Sequence, residues 1–141
     1  MNLFHIEDVK LVENVLTPGD FVRLKVATGF IDRPLDQVEK ALQNGLFNIS
    51  AIYEGQVIGM GRLVGDGAMY WYLQEIIVLP EFQGKGIGRS IVNRLLEHIK
   101  ETAIPGTSVD VGLTAVKGKE PFYEKLGFAC GSSGMKRRMD I

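Results

Sequence analysis

The sequence predicts an α/β domain in which a mostly antiparallel sheet is flanked by helices, and three observations predict it. Residues Phe47 to Leu79 contain three runs rich in β-branched and aromatic residues, separated by glycine turns, which reads as a meander of strands. Ile87, Ile91, Leu95 and Ile99 recur every four residues, the apolar stripe of a helix that lies on a sheet. Between them, Glu81-Phe82-Gln83-Gly84-Lys85-Gly86-Ile87-Gly88-Arg89 joins the last strand to that helix through a turn made largely of glycine.

The remaining elements follow in order. An opening strand is expected between Leu3 and Asn14, where Val9 and Leu11 alternate with charged residues. Thr17-Pro18-Gly19-Asp20 reads as a helix start, with Thr17 as N-cap, Pro18 in the first helical position and Asp20 reaching back as a short capping box. That helix runs to about Thr28 and stops at Gly29. Pro34 opens a second helix with Leu35, Val38, Ala41 and Leu42 on one face, closed by Gly45. Phe47 to Tyr53 and Gln56 to Val64 pair across a Glu54-Gly55 turn, and Gly65-Asp66-Gly67 leads into a central strand from Met69 to Leu79. Beyond the helix at Ile87, Pro105-Gly106 breaks the pattern, Ser108 to Leu113 supplies a strand, and Glu120 to Leu126 a short helix with Gly127 at its C′ position. A final hairpin is expected from Phe128 to Met139, around Gly131-Ser132-Ser133-Gly134. The predicted order is β-α-α-β-β-β-α-β-α-β-β.

Composition bounds the function. A chain of 141 residues reads as one domain, residues 1–141, able to bury roughly 70% of its unfolded surface. Lys and Arg number 16 against 17 Asp and Glu, a net charge of −1, so no global field attracts nucleic acid or an acidic membrane. The N-terminus carries early acids and no apolar signal core, and no apolar run reaches membrane-spanning length, which points to the cytoplasm. The single cysteine, Cys130, excludes an intramolecular disulfide and a cysteine-based metal cluster, and two scattered histidines, His5 and His98, are too few for a histidine metal site. Cys130 reads as a small buried hydrophobe and His98 as a surface residue beside its helix's apolar stripe.

The glycine junction reads as an anion site. Glycines at alternate positions permit backbone conformations that let successive amide N–H groups converge on one anion, and the helix that follows adds its unpaired first-turn N–H groups and dipole. Two familiar phosphate loops fail to match. A dinucleotide fingerprint, G-x-G-x-x-G, ends on Arg89 when counted from Gly84 and on Ile91 when counted from Gly86. A Walker loop requires Ser or Thr after Gly-Lys, and Gly84-Lys85 is followed by Gly86.

The pattern Val78-x-Pro80 followed by Gln83-x-x-Gly86-x-Gly88 resembles the acetyl-CoA signature of the GCN5-related N-acetyltransferases, and Pro121-Phe122-Tyr123-Glu124-Lys125-Leu126-Gly127-Phe128 resembles that family's second conserved segment, in the right order and at the right spacing. The resemblance covers roughly the C-terminal half and implies a sandwich whose central sheet is partly opened, with acetyl-CoA as co-substrate. It implies that backbone groups of Ile76, Ile77 and Val78 bond the pantetheine and the acetyl carbonyl. It places the pyrophosphate on the amides of Gly84, Lys85, Gly86, Ile87, Gly88 and Arg89, with Gln83 bracing the turn and Lys85 and Arg89 adding charge. Phe122 is placed against the pantetheine arm. The plain alternatives are a buried strand and a glycine-rich connection.

Tyr123 sits where the family commonly places the tyrosine that protonates the departing thiolate; with an ordinary pKa of about 10 its phenol keeps its proton at neutral pH. A core aromatic is the competing reading. Glu75, an acid inside an otherwise apolar strand, is the candidate base, with burial expected to raise its pKa, and an edge-facing or salt-bridged carboxylate is the equal alternative. Asp110 and Glu120 are weaker candidates. Many relatives carry an asparagine seven residues before the tyrosine, where this chain has Val116. Phe30, Arg33, Arg62, Tyr70, Trp71 and Tyr72 could line an acceptor pocket, although aromatics on a strand usually form core. These readings point to an N-acetyltransferase that moves the acetyl group of acetyl-CoA to a primary amine, of a small molecule or a protein, by direct attack in a ternary complex. The rival class is a coenzyme A binding or sensing module without turnover. The resemblance also suggests a homodimer.

Overall fold

The computed structural model describes residues 3–30, 33–131 and 134–141. Its elements are β1 (Lys10–Glu13), α1 (Pro18–Ala27), α2 (Leu35–Asn44), β2 (Phe47–Tyr53), β3 (Gln56–Gly65), β4 (Tyr70–Val78), α3 (Ile87–Thr102), β5 (Asp110–Gly112) and α4 (Glu120–Glu124). One five-stranded sheet runs in the order β1-β2-β3-β4-β5. The first four strands pair antiparallel and β5 joins β4 in parallel, so the mixed, mostly antiparallel sheet flanked by helices is the predicted class.

Local chemistry sets most boundaries. Thr17 Oγ1 accepts the Asp20 amide at 3.1 Å with Pro18 in the first turn, and Gly29 leaves α1 at φ +81°, the left-handed cap expected there. The β2–β3 turn places Glu54 and Gly55 at φ 49° and 77°, the paired left-handed residues of a type I′ hairpin. Between β3 and β4, Asp66 Oδ1 accepts the amides of Ala68, Met69 and Tyr70 at 2.8–3.0 Å. Gly127, at φ +94°, ends α4: its amide donates to the Glu124 carbonyl and the Phe128 amide to the Tyr123 carbonyl, both at 3.1 Å. That is the Schellman pairing.

Several expectations are corrected. The opening strand is shorter than expected, because Ile6–Asp8 form a 3-10 turn before it. Gly45 closes α2 in an extended conformation, φ −73°, and Leu35 of the expected apolar face is exposed. In the predicted closing hairpin, Ser132 and Ser133 lie outside the described residues, and no strand occurs among the described residues after β5. From Ala129 onward every described residue is exposed, and Lys136-Arg137-Arg138 interrupts any alternation that could give a strand an apolar face.

The core fills both faces of the sheet. On one face lies α3, its Ile87, Ile91, Leu95 and Ile99 each no more than 4% exposed. Burying side chains of this size contributes roughly 1.5–3 kcal/mol each. On the other lie α1 and α2, which contribute Phe21, Leu24 and Val38. Arg94 of α3 bonds Glu13 of β1 and lies over the Phe47 ring, tying the helix to the sheet's far edge.

His98 is not the free surface residue expected. Its ring stacks on Phe47 at 3.7 Å between centroids with planes 5° apart, and its edge meets Trp71 at 6.3 Å. Burial, and then the nearby Arg94 cation, push its pKa below the ordinary 6.5. The folded state therefore binds this proton less readily than the unfolded chain, so stability is lost as pH falls through the unfolded value. His98→Phe keeps a stacked ring and removes the titration. Thermal melts should show the wild type losing more stability than His98→Phe between about pH 8 and pH 5; parallel losses would refute the coupling.

Candidate active site

The glycine turn is built as a helix entrance. Pro80–Phe82 form a 3-10 turn after β4, and Gly84 and Gly86 take φ of 75° and 88°, with Gly86 as N-cap of α3. The first amide bonded inward is that of Ser90, to the Gly86 carbonyl at 3.1 Å, and no side chain among the described residues caps the helix. The amides of Ile87, Gly88 and Arg89 are thus the first-turn donors an anion would take. Gln83 braces the loop as expected, its Nε2 donating to the Val78 carbonyl at 2.9 Å. Lys85 Nζ lies over the Phe4 ring at 5.4 Å, and Arg89 is exposed.

Strand β4 opens toward this turn. Its pairing with β5 covers only Tyr70–Tyr72 against Asp110–Gly112. Past that point the outer edge of β4, through Ile76, Ile77 and Val78, has no strand partner among the described residues. Tyr72 stands at the fork: its hydroxyl bonds Thr114 Oγ1 and its ring leaves no slack over Gly112, where a Cβ would come within 3.2 Å. The opening has α4 near it, since a Cβ on Gly88 would sit 3.5 Å from Phe122 and 3.8 Å from Val78.

On its inner edge β4 carries a bulge. Met60 pairs with Ile77 and Arg62 with Gln74, leaving Glu75 and Ile76 opposite Gly61 alone. Glu75 takes the left-handed conformation, φ 58°, which costs a non-glycine residue on the order of 1 kcal/mol or more. Alternation from Trp71 and Leu73, both buried, would aim residue 75 at the α3 face. The extra residue instead turns Ile76 toward that face and delivers Glu75 to the α1 face, where Lys25 Nζ meets its Oε2 at 3.0 Å.

The model described as the acetyltransferase (GNAT) family matches residues 20–128. This chain belongs to the GNAT family. It is 28% identical over 114 residues to the uncharacterised N-acetyltransferase ycf52 of Pyropia yezoensis, covering 78% of this chain and 63% of that protein. With the chloroplastic GCN5-related N-acetyltransferase 1 of Arabidopsis thaliana it shares 29% identity over 112 residues, 78% of this chain and 55% of that one. The chain therefore spans less than two thirds of the length of these curated relatives. A solved structure from meticillin-resistant Staphylococcus aureus, a protein of unknown function described as a probable acetyltransferase, superposes with a TM-score of 0.84 at 30% identity, covering 93% of this chain and 99% of that one.

Within this GNAT fold the sequence-predicted residues fall into two groups. Val78, Gln83, Gly88 and Phe122 come together around the opening, and Tyr123 follows Phe122 on α4, half-buried between the rings of Phe122 and Phe128 at 4.9 and 6.1 Å. Burial raises the Tyr123 pKa above 10.0, so the phenol holds its proton more firmly than a free tyrosine. Glu75 lies on the α1 face, and its surroundings are not the apolar pocket expected: besides Lys25, Arg62 Nη2 stands 3.9 Å from Oε1. Burial lowers the Arg62 pKa, partly offset by Glu75. Among the weaker candidates Asp110 is exposed, and Glu120 is engaged by the Gly118 amide at 3.0 Å. Cys130 is exposed, not buried, and Val116 is 54% exposed. Trp71 is core, whereas Tyr70 is exposed. No cluster of three His, Cys, Asp or Glu able to hold a metal, and no helix long and apolar enough to cross a membrane, occurs among the described residues.

Sequence reasoning missed Lys25. It follows Phe21 by one helical turn and lies between aromatic rings, 5.6 Å from the centroid of Phe21 and 5.4 Å from that of Phe30. The available signal was a lysine on the same stripe as an apolar helix position. Gly61 makes the bulge possible, since a Cβ there would lie 2.6 Å from Ile91 and 2.9 Å from Ile76. Gly61→Ala should therefore destabilise the fold by about 1–3 kcal/mol in denaturant unfolding; an unchanged midpoint would mean that α3 and the bulge are free to move apart.

Proposed function

We propose that this GNAT protein is a cytoplasmic N-acetyltransferase, its residues 1–141 forming one acetyltransferase domain, that moves the acetyl group of acetyl-CoA to a primary amine by direct attack in a ternary complex. The observation that carries the reading is the unpaired edge of β4, which leads from the bulge at Glu75 to the uncapped glycine turn at the head of α3. An extended thioester with an anionic end fits such a path. Backbone groups of Ile76, Ile77 and Val78 would hold the pantetheine and polarise the acetyl carbonyl. Amides of Gly84, Lys85, Gly86, Ile87, Gly88 and Arg89 would take the pyrophosphate, with Lys85 and Arg89 adding charge and Phe122 packing against the arm.

In the reaction the amine nitrogen attacks the thioester carbon, a C–N bond forms and the C–S bond breaks. The surplus proton of the amine passes to Glu75, and Tyr123 gives its phenolic proton to the departing thiolate. The raised pKa of Tyr123 supports a donor that stays protonated through the neutral range. Lys25 donates to Oε2 of Glu75 and Arg62 stands beyond hydrogen-bond reach of Oε1, which is left to receive the amine proton.

Tyr123→Phe keeps the ring and its contacts while removing the donor. Release of free coenzyme A thiol should fall by a factor on the order of 10² in kcat, with coenzyme A affinity and melting temperature nearly unchanged. Full turnover in this variant would make Tyr123 a packing residue; a wild type that binds coenzyme A but acetylates no amine would make the protein a binding module.

Glu75→Gln preserves size and should remove the carboxylate limb from the rise of kcat/KM with pH, leaving only the limb from the amine itself. Because the change leaves Lys25 without its counter-ion, a thermal melt accompanies the profile. Matching profiles and rates in a folded variant would transfer the proton to water, Asp110 or Glu120.

A further inference from the structure

Arg62 is charged, nearly enclosed and poorly partnered. Its side chain is 13% exposed, and its Nε is buried without a hydrogen-bond partner among the described residues. The nearest carboxylate oxygen, Glu75 Oε1, stands at 3.9 Å, beyond hydrogen-bond reach. That carboxylate is already committed through Oε2 to Lys25 at 3.0 Å. Two mostly buried cations thus share one anion, and the described residues leave a surplus positive charge on the α1 face, beside the carboxylate proposed as base. A desolvated guanidinium is costly unless its donors are met, and its planar pair of N–H groups suits carboxylate or phosphate oxygens better than any neutral group.

We infer that the acceptor of this transferase carries an oxyanion, a carboxylate or a phosphate ester, within a few bonds of its amine, and that Arg62 binds it. The inference rests on the transferase reading above and narrows its substrate class. Arg62 is paired across the sheet with Gln74, the residue before Glu75, so a group held by the guanidinium lies next to Oε1. Only a short separation between oxyanion and amine lets one molecule meet both. Charge argues in the same direction: with its amine neutral and ready to attack, a carboxylate acceptor carries one negative charge and a phosphate ester between one and two, enough in either case to offset the surplus. A polyamine would instead add cations beside Lys25, whose ammonium already lies over the rings of Phe21 and Phe30.

The test is coenzyme A thiol release from acetyl-CoA with the common amino acids, each beside its carboxamide, with aminoethyl phosphate beside ethanolamine, and with spermidine. The acidic member of the best pair should exceed its neutral partner in kcat/KM by a factor on the order of 10 to 10². A preference within the carboxylates or for the phosphate identifies which oxyanion Arg62 holds. Arg62→Gln should collapse the acid-to-neutral ratio, chiefly through KM, and Arg62→Lys should restore only part of it, since the charge returns without the planar fork. If Arg62→Gln does not fold, the ratio in the unaltered protein decides alone. Equal use of acids and carboxamides, or a preference for spermidine, overturns the anionic acceptor and leaves the transferase standing. Coenzyme A binding without thiol release from any amine overturns the transferase reading and this inference with it.

Discussion

The residue that β4 carries in excess of β3, opposite Gly61, is the constraint on which the rest of the site depends. Strand alternation is rigid at a period of two, so one added residue reverses every side chain beyond it. Upstream, Trp71 and Leu73 belong to the α3 face; downstream, Val78 belongs to it as well, five residues after Leu73. The reversal lets Glu75 leave the apolar interior for the ion pair with Lys25, at the cost of a left-handed backbone. Gly61 makes room for the reversal, and the tight contact of Ile91 and Ile76 over it fixes how closely α3 can lie on the sheet.

The same strand loses its outer partner just before the bulge. Tyr72 locks the last paired step between β4 and β5 through its ring on Gly112 and its hydroxyl on Thr114, and beyond it the edge of β4 is open. An open edge is normally a liability, a row of backbone groups ready to pair with another chain. Here it ends at a glycine turn with uncapped amides, and Phe122 on α4 stands against Gly88 and Val78 beside it. Bulge, fork and turn together make backbone, more than side chains, the material of the proposed thioester site.

Electrostatics divides the molecule's two faces. The α3 face holds an apolar core edged by the Arg94–Glu13 ion pair, with His98 stacked on Phe47 and disfavoured in its charged form by burial. The α1 face holds Lys25, Glu75 and Arg62, each only 13–15% exposed in its side chain. Charges that deep are seldom retained for stability, because the cost of removing them from water rivals what their pairing returns. Their position next to the open strand is the reason to read them as recognition chemistry.

Much of this was legible in the sequence because it is local. A cap needs Thr17 and Asp20 three residues apart, a hairpin needs Glu54-Gly55, an amphipathic helix needs Ile87, Ile91, Leu95 and Ile99, and a left-handed turn into a helix needs Gly84 and Gly86; each is a pattern within a few residues whose physics is complete there. The short segments were less so, since the pairing of β5 depends on β4 and not on its own three residues, and the apolar content of the tail proved too sparse to bury as a hairpin. What the sequence by itself determined was therefore the order of elements as far as α4, the family and the position of the glycine turn at the head of α3. Only the tertiary structure decided that Glu75 is paired with Lys25, that Arg62 stands beside it without a close partner among the described residues, and that His98 is stacked. Two of those relations join residues 50 positions apart or more, and all three arise from a register shift and from helix packing, neither of which leaves a periodic trace in the chain.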